Sequence, residues 1–316
     1  MTVLLWGVPT EPPVAMVTRE LTELDADLVV LHPQAAAGQQ VQVLIGAAGK
    51  PGVAGMLHAN GRRVDLAGVV GAYLRPVEPG LVPELRGRAE TAPELVHARR
   101  VHDALIGFTE VAPLVSGCRV VNRLSAMASN SSKPFQAQAV VRHGFATPET
   151  LVSDDPDEVL EFVDRYRDVV YKSCSGIRSV VTAFDPTADR ERLDRLRWCP
   201  VQFQERVAGP DVRVHVVGDE VYAALVDTTA IDYRYARAQV GSDARLSSYR
   251  LDDHLAARCV ALASDLDLPF AGIDLKLAPD GRVVCFEVNP SPGFSWYESE
   301  TGLPIARAVA RWLLGG

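Results

Sequence analysis

The stretch FAGIDLKLAPDGRVVCFEVNPSPG, residues 270–293, decides how the chain is read. Two apolar runs, Phe270–Leu277 and Val283–Val288, flank Pro279-Asp280-Gly281. Asp-Gly between two such runs predicts a β-hairpin. A two-residue loop at Asp280-Gly281 sets Lys276 opposite Cys285 and Asp274 opposite Glu287. Side chains alternate along a strand, so Leu275, Leu277, Val284, Phe286 and Val288 share an apolar face. Asp274, Lys276, Glu287 and Asn289 share the other. A three-residue loop would shift this register.

Two carboxylates directly opposite one another repel. A cation between them removes that penalty. Hard oxygen donors, with an Asn oxygen two residues on, suit Mg²⁺ that keeps water and phosphate ligands. The plainer alternative is a solvated face on which Lys276 balances the charge.

Upstream, Val212–Val217 and Val221–Val226 predict a second hairpin around Gly218-Asp219. Val201–Gln204 reads as a strand that leaves through Gln204-Glu205-Arg206-Val207 into Gly209-Pro210-Asp211. Backbone groups at such a strand end can hold a flat base, and a carboxylate just beyond can bind ribose hydroxyls. A charged loop is the alternative. Val169–Lys172 reads as a strand running into Ser173-Cys174-Ser175-Gly176, with a second apolar segment at Ser179–Phe184. A loop of small residues lets backbone N–H groups approach a phosphate, and Lys172 adds a point charge. Lys133, in Asn130-Ser131-Ser132-Lys133-Pro134, is a second such cation. Taken singly, each lysine also fits a solvated surface residue; only the combination points to a polyphosphate.

Helices are expected around 125–143 and over Asp157–Tyr166, Asp252–Leu266 and Ile305–Leu314. The first third alternates α and β: strand Val3–Trp6, helical spacing over Val14–Leu24, strands Leu28–Leu31 and Val69–Leu74, and a proline-rich loop over 76–93. Residues 34–60 show no clear pattern. No GxGxxG follows the first strand, so a dinucleotide site has no support.

The 316 residues suggest about two domains on a prior of ~150 residues each. With 47% hydrophobic and 23% charged residues, the chain reads as a soluble globular protein. A net charge of −8 without a basic run argues against nucleic-acid or membrane partners. No apolar run approaches the ~20 residues that span a bilayer. The N-terminal apolar run lacks preceding basic residues and reads as a strand, not a secretion signal. Cys118, Cys174, Cys199, Cys259 and Cys285 are dispersed without a CxxC pair. That fits a reduced, cytoplasmic setting and argues against a disulfide framework or zinc site. Cys174 has no neighbouring base and reads as inert; among the histidines only His215, near Arg213, invites attention.

In chain order, Lys133, Lys172 with its loop, Gln204-Glu205-x-Val207-x-Gly209-x-Asp211-x-Arg213, Gly272-Ile273-Asp274 and Glu287-Val288-Asn289-Pro290 resemble the ATP-grasp superfamily. Within it they look like carboxylate–amine ligases of the ribosomal S6 glutamate ligase type, over roughly 115–316. A narrower likeness runs through Arg62-Arg63-Val64-Asp65-Leu66, Tyr73-Leu74-Arg75-Pro76, Asp232-Tyr233-Arg234, Trp296-Tyr297-Glu298 and Thr301-Gly302-Leu303-Pro304-Ile305. Those segments look like the ATP-grasp peptide maturases, which close lactone or lactam rings in graspetides such as microviridins. The short loop after Lys172 departs from that pattern, and Ser291-Pro292-Gly293 is closer to the S6-ligase ending.

The resemblance implies an α/β, ATP-grasp fold: an N-terminal pre-ATP-grasp α/β domain over 1–115, a central lobe over 116–200 and a C-terminal lobe over 201–316. Nucleotide would lie between the last two. Lys133 and Lys172 would contact the ATP phosphates, with Ser175 and Gly176 in the loop closing over them. Glu205 and Val207 would offer backbone groups to adenine, with Gln204 nearby, and Asp211 would bind ribose. Asp274, Glu287 and Asn289 would hold two Mg²⁺ ions, with Mn²⁺ as a substitute. A substrate carboxylate would attack the γ-phosphate to give an acyl phosphate and ADP, and an amine or hydroxyl would then displace phosphate.

Arg213, on the same strand face as Asp211, would act with Lys172 on the transferred phosphoryl group. Its alternative is an ion pair with Asp211 or a neighbouring carboxylate. Arg178, Arg234, Lys276, Ser291 and Gly293 are candidate substrate contacts, Lys276 being equally a charge balance for Asp274. The implied partners are a peptide or small-molecule carboxylate and an amine, on a homodimer or tetramer. Competing readings are an amino-acid or dipeptide amide ligase, a non-catalytic ATP-binding protein and a small-molecule kinase.

Overall fold

The computed structural model describes residues 1–45, 52–174 and 180–316. The first third contains β1 (Thr2–Trp6), α1 (Pro12–Glu23), β2 (Asp27–Leu31), β3 (Gln40–Ile45), β4 (Val53–Ala59), β5 (Arg62–Asp65), β6 (Val69–Leu74), α2 (Pro93–Val115) and β7 (Arg119–Val121). Among the described residues, β2-β1-β6-β7 form a parallel sheet and β3-β4-β5 a separate antiparallel one. Val3 and Leu5 of β1 face one core, shared with Val14 and Val17 of α1; Leu4 and Trp6 face another, shared with Leu105 and Phe108 of α2. Burial on both faces is why β1 reads as a continuous apolar run. β3 and β4 fall in the stretch that shows no pattern in sequence. The alternation of Gln40–Val43 stops at Leu44-Ile45, and β4 carries a glycine and a histidine.

The middle third contains α3 (Leu124–Met127), α4 (Lys133–Arg142), β8 (Thr150–Ser153), α5 (Pro156–Tyr166), β9 (Val169–Ser173), β10 (Thr182–Ala183), α6 (Arg190–Leu193) and β11 (Val201–Glu205). The single helix expected around 125–143 is broken into α3, a 3-10 turn at Ala128–Ser131 and α4. Pro134 has no backbone N–H to continue a helix from the preceding turn but is tolerated in a first turn, so α4 starts anew at Lys133 after Ser132, extended at φ −124°, ψ 90°. The break sets Lys133 at the start of α4. The antiparallel sheet β10-β9-β11-β8 packs on α5 through Val159, Val163, Val169 and Phe203.

The last third contains β12 (Asp211–Val217), β13 (Glu220–Asp227), α7 (Ala236–Val240), β14 (Arg245–Tyr249), α8 (Asp253–Asp265), β15 (Phe270–Leu277), β16 (Val283–Asn289), α9 (Ser295–Thr301) and α10 (Ile305–Leu314). Its sheet, β14-β13-β12-β15-β16, is antiparallel throughout. Val212, Val214, Val216, Ile273 and Leu275 pack against Leu255, Cys259 and Leu262 of α8. The alternate residues Asp211, Arg213, Asp274 and Lys276 therefore take the opposite face. α10 returns to the first sheet, where Leu313 lies against Gly71 of β6. Among the described residues no helix is long and apolar enough to cross a membrane.

The last hairpin corrects one expected pairing. Ala278 N–H bonds Arg282 O, and Gly281 takes a φ of 87°, so the loop has three residues, not two. Glycine suits that left-handed turn position. Lys276 consequently pairs with Val284, and Leu275 with Cys285. Cys285, expected on the polar face, joins the core, while Phe286, expected on the apolar face, lines the cavity between the two later sheets. A bulge between Asp274 and Leu275 then absorbs Phe286 and restores Asp274 opposite Glu287.

Candidate active site

A cavity of about 930 Å³ separates the sheet of the middle third from that of the last. Val170, Lys172, Gln202 and Gln204 line one side, and Asp211, Asp274, Lys276, Glu287 and Asn289 the other. Glu205, Arg206, Val207 and Gly209 form the connecting wall.

The charges are paired across elements. Lys133 Nζ lies 3.0 Å from Glu287 Oε2 and 2.8 Å from Asn130 Oδ1. Burial opposes ionisation of Glu287, but Lys133, Lys172 and Arg213 outweigh it and hold the carboxyl below its usual pKa. Arg213, 5% exposed, donates to Asp274 Oδ1 at 2.7 Å. Burial disfavours its charge; Asp274 and the phenols of Tyr297 and Tyr233 outweigh that and raise its pKa. Lys276 lies 2.9 Å from Asp211 Oδ2, so it balances Asp211 while Arg213 balances Asp274. Burial still leaves Asp211 with a raised pKa. Lys172 is pushed down by burial, reinforced by Lys133 and Arg234 and opposed by Glu287.

Asp274 and Glu287 thus meet in register at the cavity, with Asn289 beside them. This oxygen set fits a hard divalent ion. Among the described residues no group of three His, Cys, Asp or Glu side chains could hold a metal, so Asn289 and phosphate oxygens would complete the coordination.

Residues 130–313 match the family described as the RimK-like ATP-grasp domain. The chain belongs to this family. It is 30% identical over 209 residues to ribosomal protein bS6–L-glutamate ligase of Escherichia coli O7:K1, covering 62% of this chain and 68% of that protein. The fold is similar to a RiPP-associated ATP-grasp ligase of Chryseobacterium gregarium, solved with ADP and a leader and core peptide. That match has a TM-score of 0.80 at 19% identity and covers 99% of this chain and 96% of that one. It is also similar to the ATP-grasp ligase PsnB, solved with a phosphomimetic variant of its minimal precursor, Mg and ADP. There the TM-score is 0.77 at 24% identity, covering 99% and 97%.

In this ATP-grasp ligase the remaining sequence candidates fall as follows. Gln204 is buried, and its Nε2 donates to Thr150 Oγ1 at 2.9 Å, which turns its amide toward β8. Arg234 lines the cavity and is held by Asp232 at 2.7 Å. Ser291 and Gly293 are not among the cavity-lining residues; Ser291 Oγ accepts from Arg75 Nη1 at 2.8 Å, and its N–H bonds Asn289 Oδ1 at 2.9 Å. Ser175, Gly176 and Arg178 lie outside the described residues. His215 is fully buried beside Arg213, and burial drives its pKa well down.

The sequence reading missed Tyr233 and Tyr297 as site residues. Their hydroxyls meet at 2.8 Å under Asp274, and Arg213 lies 5.7 Å from the Tyr297 ring centre. Both stood inside the maturase-like segments, which was the available signal.

Proposed function

We propose that this ATP-grasp ligase activates a substrate carboxylate with Mg·ATP as an acyl phosphate and transfers it to an amine or hydroxyl, with a peptide as the carboxylate substrate. The in-register pair of Asp274 and Glu287, each held by a cation from a different element, carries the reading. Lys133 and Lys172 would bind the phosphates, and Glu205, Val207 and Asp211 the nucleoside. Mg²⁺ at Asp274, Glu287 and Asn289, one ion or two, would offset the triphosphate charge. Arg213, already charged and buried, would stabilise the transferred phosphoryl group without reorganisation. Lys276 and Arg234 are the described candidates for holding substrate carboxylates. The work of the protein is then positioning and charge neutralisation. The lobe division at about 115 and 200 belongs to the same proposal, with the cavity between the last two lobes.

Peptide substrates are favoured over free amino acids because the fold matches ligases solved with precursor peptides along nearly their whole length. ADP release tests this. A leader-bearing, acidic precursor peptide encoded beside the gene should stimulate it, and free amino acids should not. Stimulation by free amino acids alone would instead support a small-molecule ligase, and a stable phosphorylated product a kinase.

A further inference from the structure

Among the described residues β16 is the outer strand of its sheet, and its free edge meets only the short bridge of Ala146 to Val284. At Val288, between Glu287 and Asn289, a side chain closes that edge. Gln136 Nε2 donates to Val288 O at 2.7 Å, and Val288 N–H donates to Gln136 Oε1 at 2.9 Å. The amide reproduces the donor and acceptor of an absent strand. Gln136 is only 2% exposed, and it stands on α4 three residues after Lys133, whose ammonium bonds Glu287. One helix therefore grips the strand twice, by an ion pair to Glu287 and by two bonds to the backbone of the next residue.

Side chains on either side of a strand residue point to the face opposite its own. The rotation of β16 at Val288 thus sets the directions of both Glu287 and Asn289. We infer that Gln136 is a positioning residue for the metal site: its amide fixes β16 so that Glu287 and Asn289 converge with Asp274, and it ties that geometry to the helix carrying Lys133. A second buried amide acts on the chain just beyond. Asn122 Nδ2 donates to Phe270 O at 2.6 Å and also to Pro290 O, and Phe270 N–H donates to Asn122 Oδ1 at 3.1 Å. The inference rests on the proposed Mg·ATP reading of the cavity.

The test is Mn²⁺ binding in the presence of saturating ADP, read from the electron paramagnetic resonance signal of free Mn²⁺. Gln136→Met keeps the length and removes both hydrogen bonds. It should weaken Mn²⁺ binding about tenfold or more, as loss of an outer partner of a ligand does, while ADP affinity in excess chelator stays within twofold. Gln136→Asn, which keeps an amide of shorter reach, should show the same change, and it carries the comparison if the Met variant does not fold. Unchanged Mn²⁺ affinity with a lowered unfolding temperature makes the amide merely structural and overturns the inference alone. Absence of Mn²⁺ binding by the wild-type protein overturns the metal reading itself.

Discussion

Asp274 and Glu287 stand opposite each other because two one-residue irregularities cancel: a three-residue turn at Pro279-Asp280-Gly281 and a bulge at Phe286. A strand pair keeps facing carboxylates when something between them is positive. Here Arg213 and Lys133 supply the charge. Glu287→Gln is nearly isosteric and leaves the core untouched. It should abolish ADP production under saturating substrate with an unchanged circular dichroism spectrum; normal turnover would remove Glu287 from the metal site.

Arg213 tests electrostatic stabilisation. Arg213→Met should lower turnover about a hundredfold, roughly 2.7 kcal/mol in the barrier, and ATP affinity by less. Arg213→Lys restores charge without the planar fork and should recover only part of the rate. Lost ATP affinity with unchanged turnover would mean uniform binding, not action on the transferred group.

Lys172 gives a pH dependence. Its folded pKa lies below the ordinary lysine value of 10.5, chiefly through burial. The ammonium is therefore lost earlier as pH rises, so calorimetric ADP affinity should begin to fall below pH 10.5. For folding the sign is opposite: the unfolded chain binds more protons between the two pKa values, so this group favours the folded state as pH rises through that window. Lys172→Met should weaken ADP binding and remove the alkaline decline.

Gly71 tests the return of α10 to the first sheet. A Cβ there would sit 2.6 Å from Leu313 O, a backbone atom that cannot swing aside. Gly71→Ala should cost about 1–3 kcal/mol by overpacking, read as a lower unfolding midpoint in denaturant. An unchanged midpoint would mean that α10 shifts freely.

Several elements were legible in sequence because their apolar patterning is strong. Phe270–Leu277, Val69–Leu74 and Ile305–Leu314 occur as elements with the expected ends. Asp274 opposite Glu287 was also legible, although the loop length behind it was not. Asp-Gly serves two- and three-residue turns alike, and a bulge leaves no mark on composition. The role of Lys276 stayed open because two carboxylates lie within its reach along the sheet; the register of β12 against β15 gives it to Asp211. Gln136 was invisible as a site residue, since a neutral amide in a helix carries no mark of the strand it bonds, and Val288 lies 152 residues away. The 3-10 turn before Lys133 did leave a signal, the polar run Ser129-Asn130-Ser131-Ser132 ahead of Pro134, which interrupts the apolar spacing of the helix.

The central claim is carboxylate activation by ATP. The most direct measurement places a heavy-oxygen label in the acidic side-chain carboxylates of the precursor peptide and follows the phosphate released with Mg·ATP by mass spectrometry. An acyl phosphate passes one labelled oxygen to phosphate for each bond formed, while the joined product has the mass of its two reacting partners, or of the one peptide that carries both groups, less one water. Unlabelled phosphate alongside that loss of water, or ADP release with an intact peptide, would contradict the account.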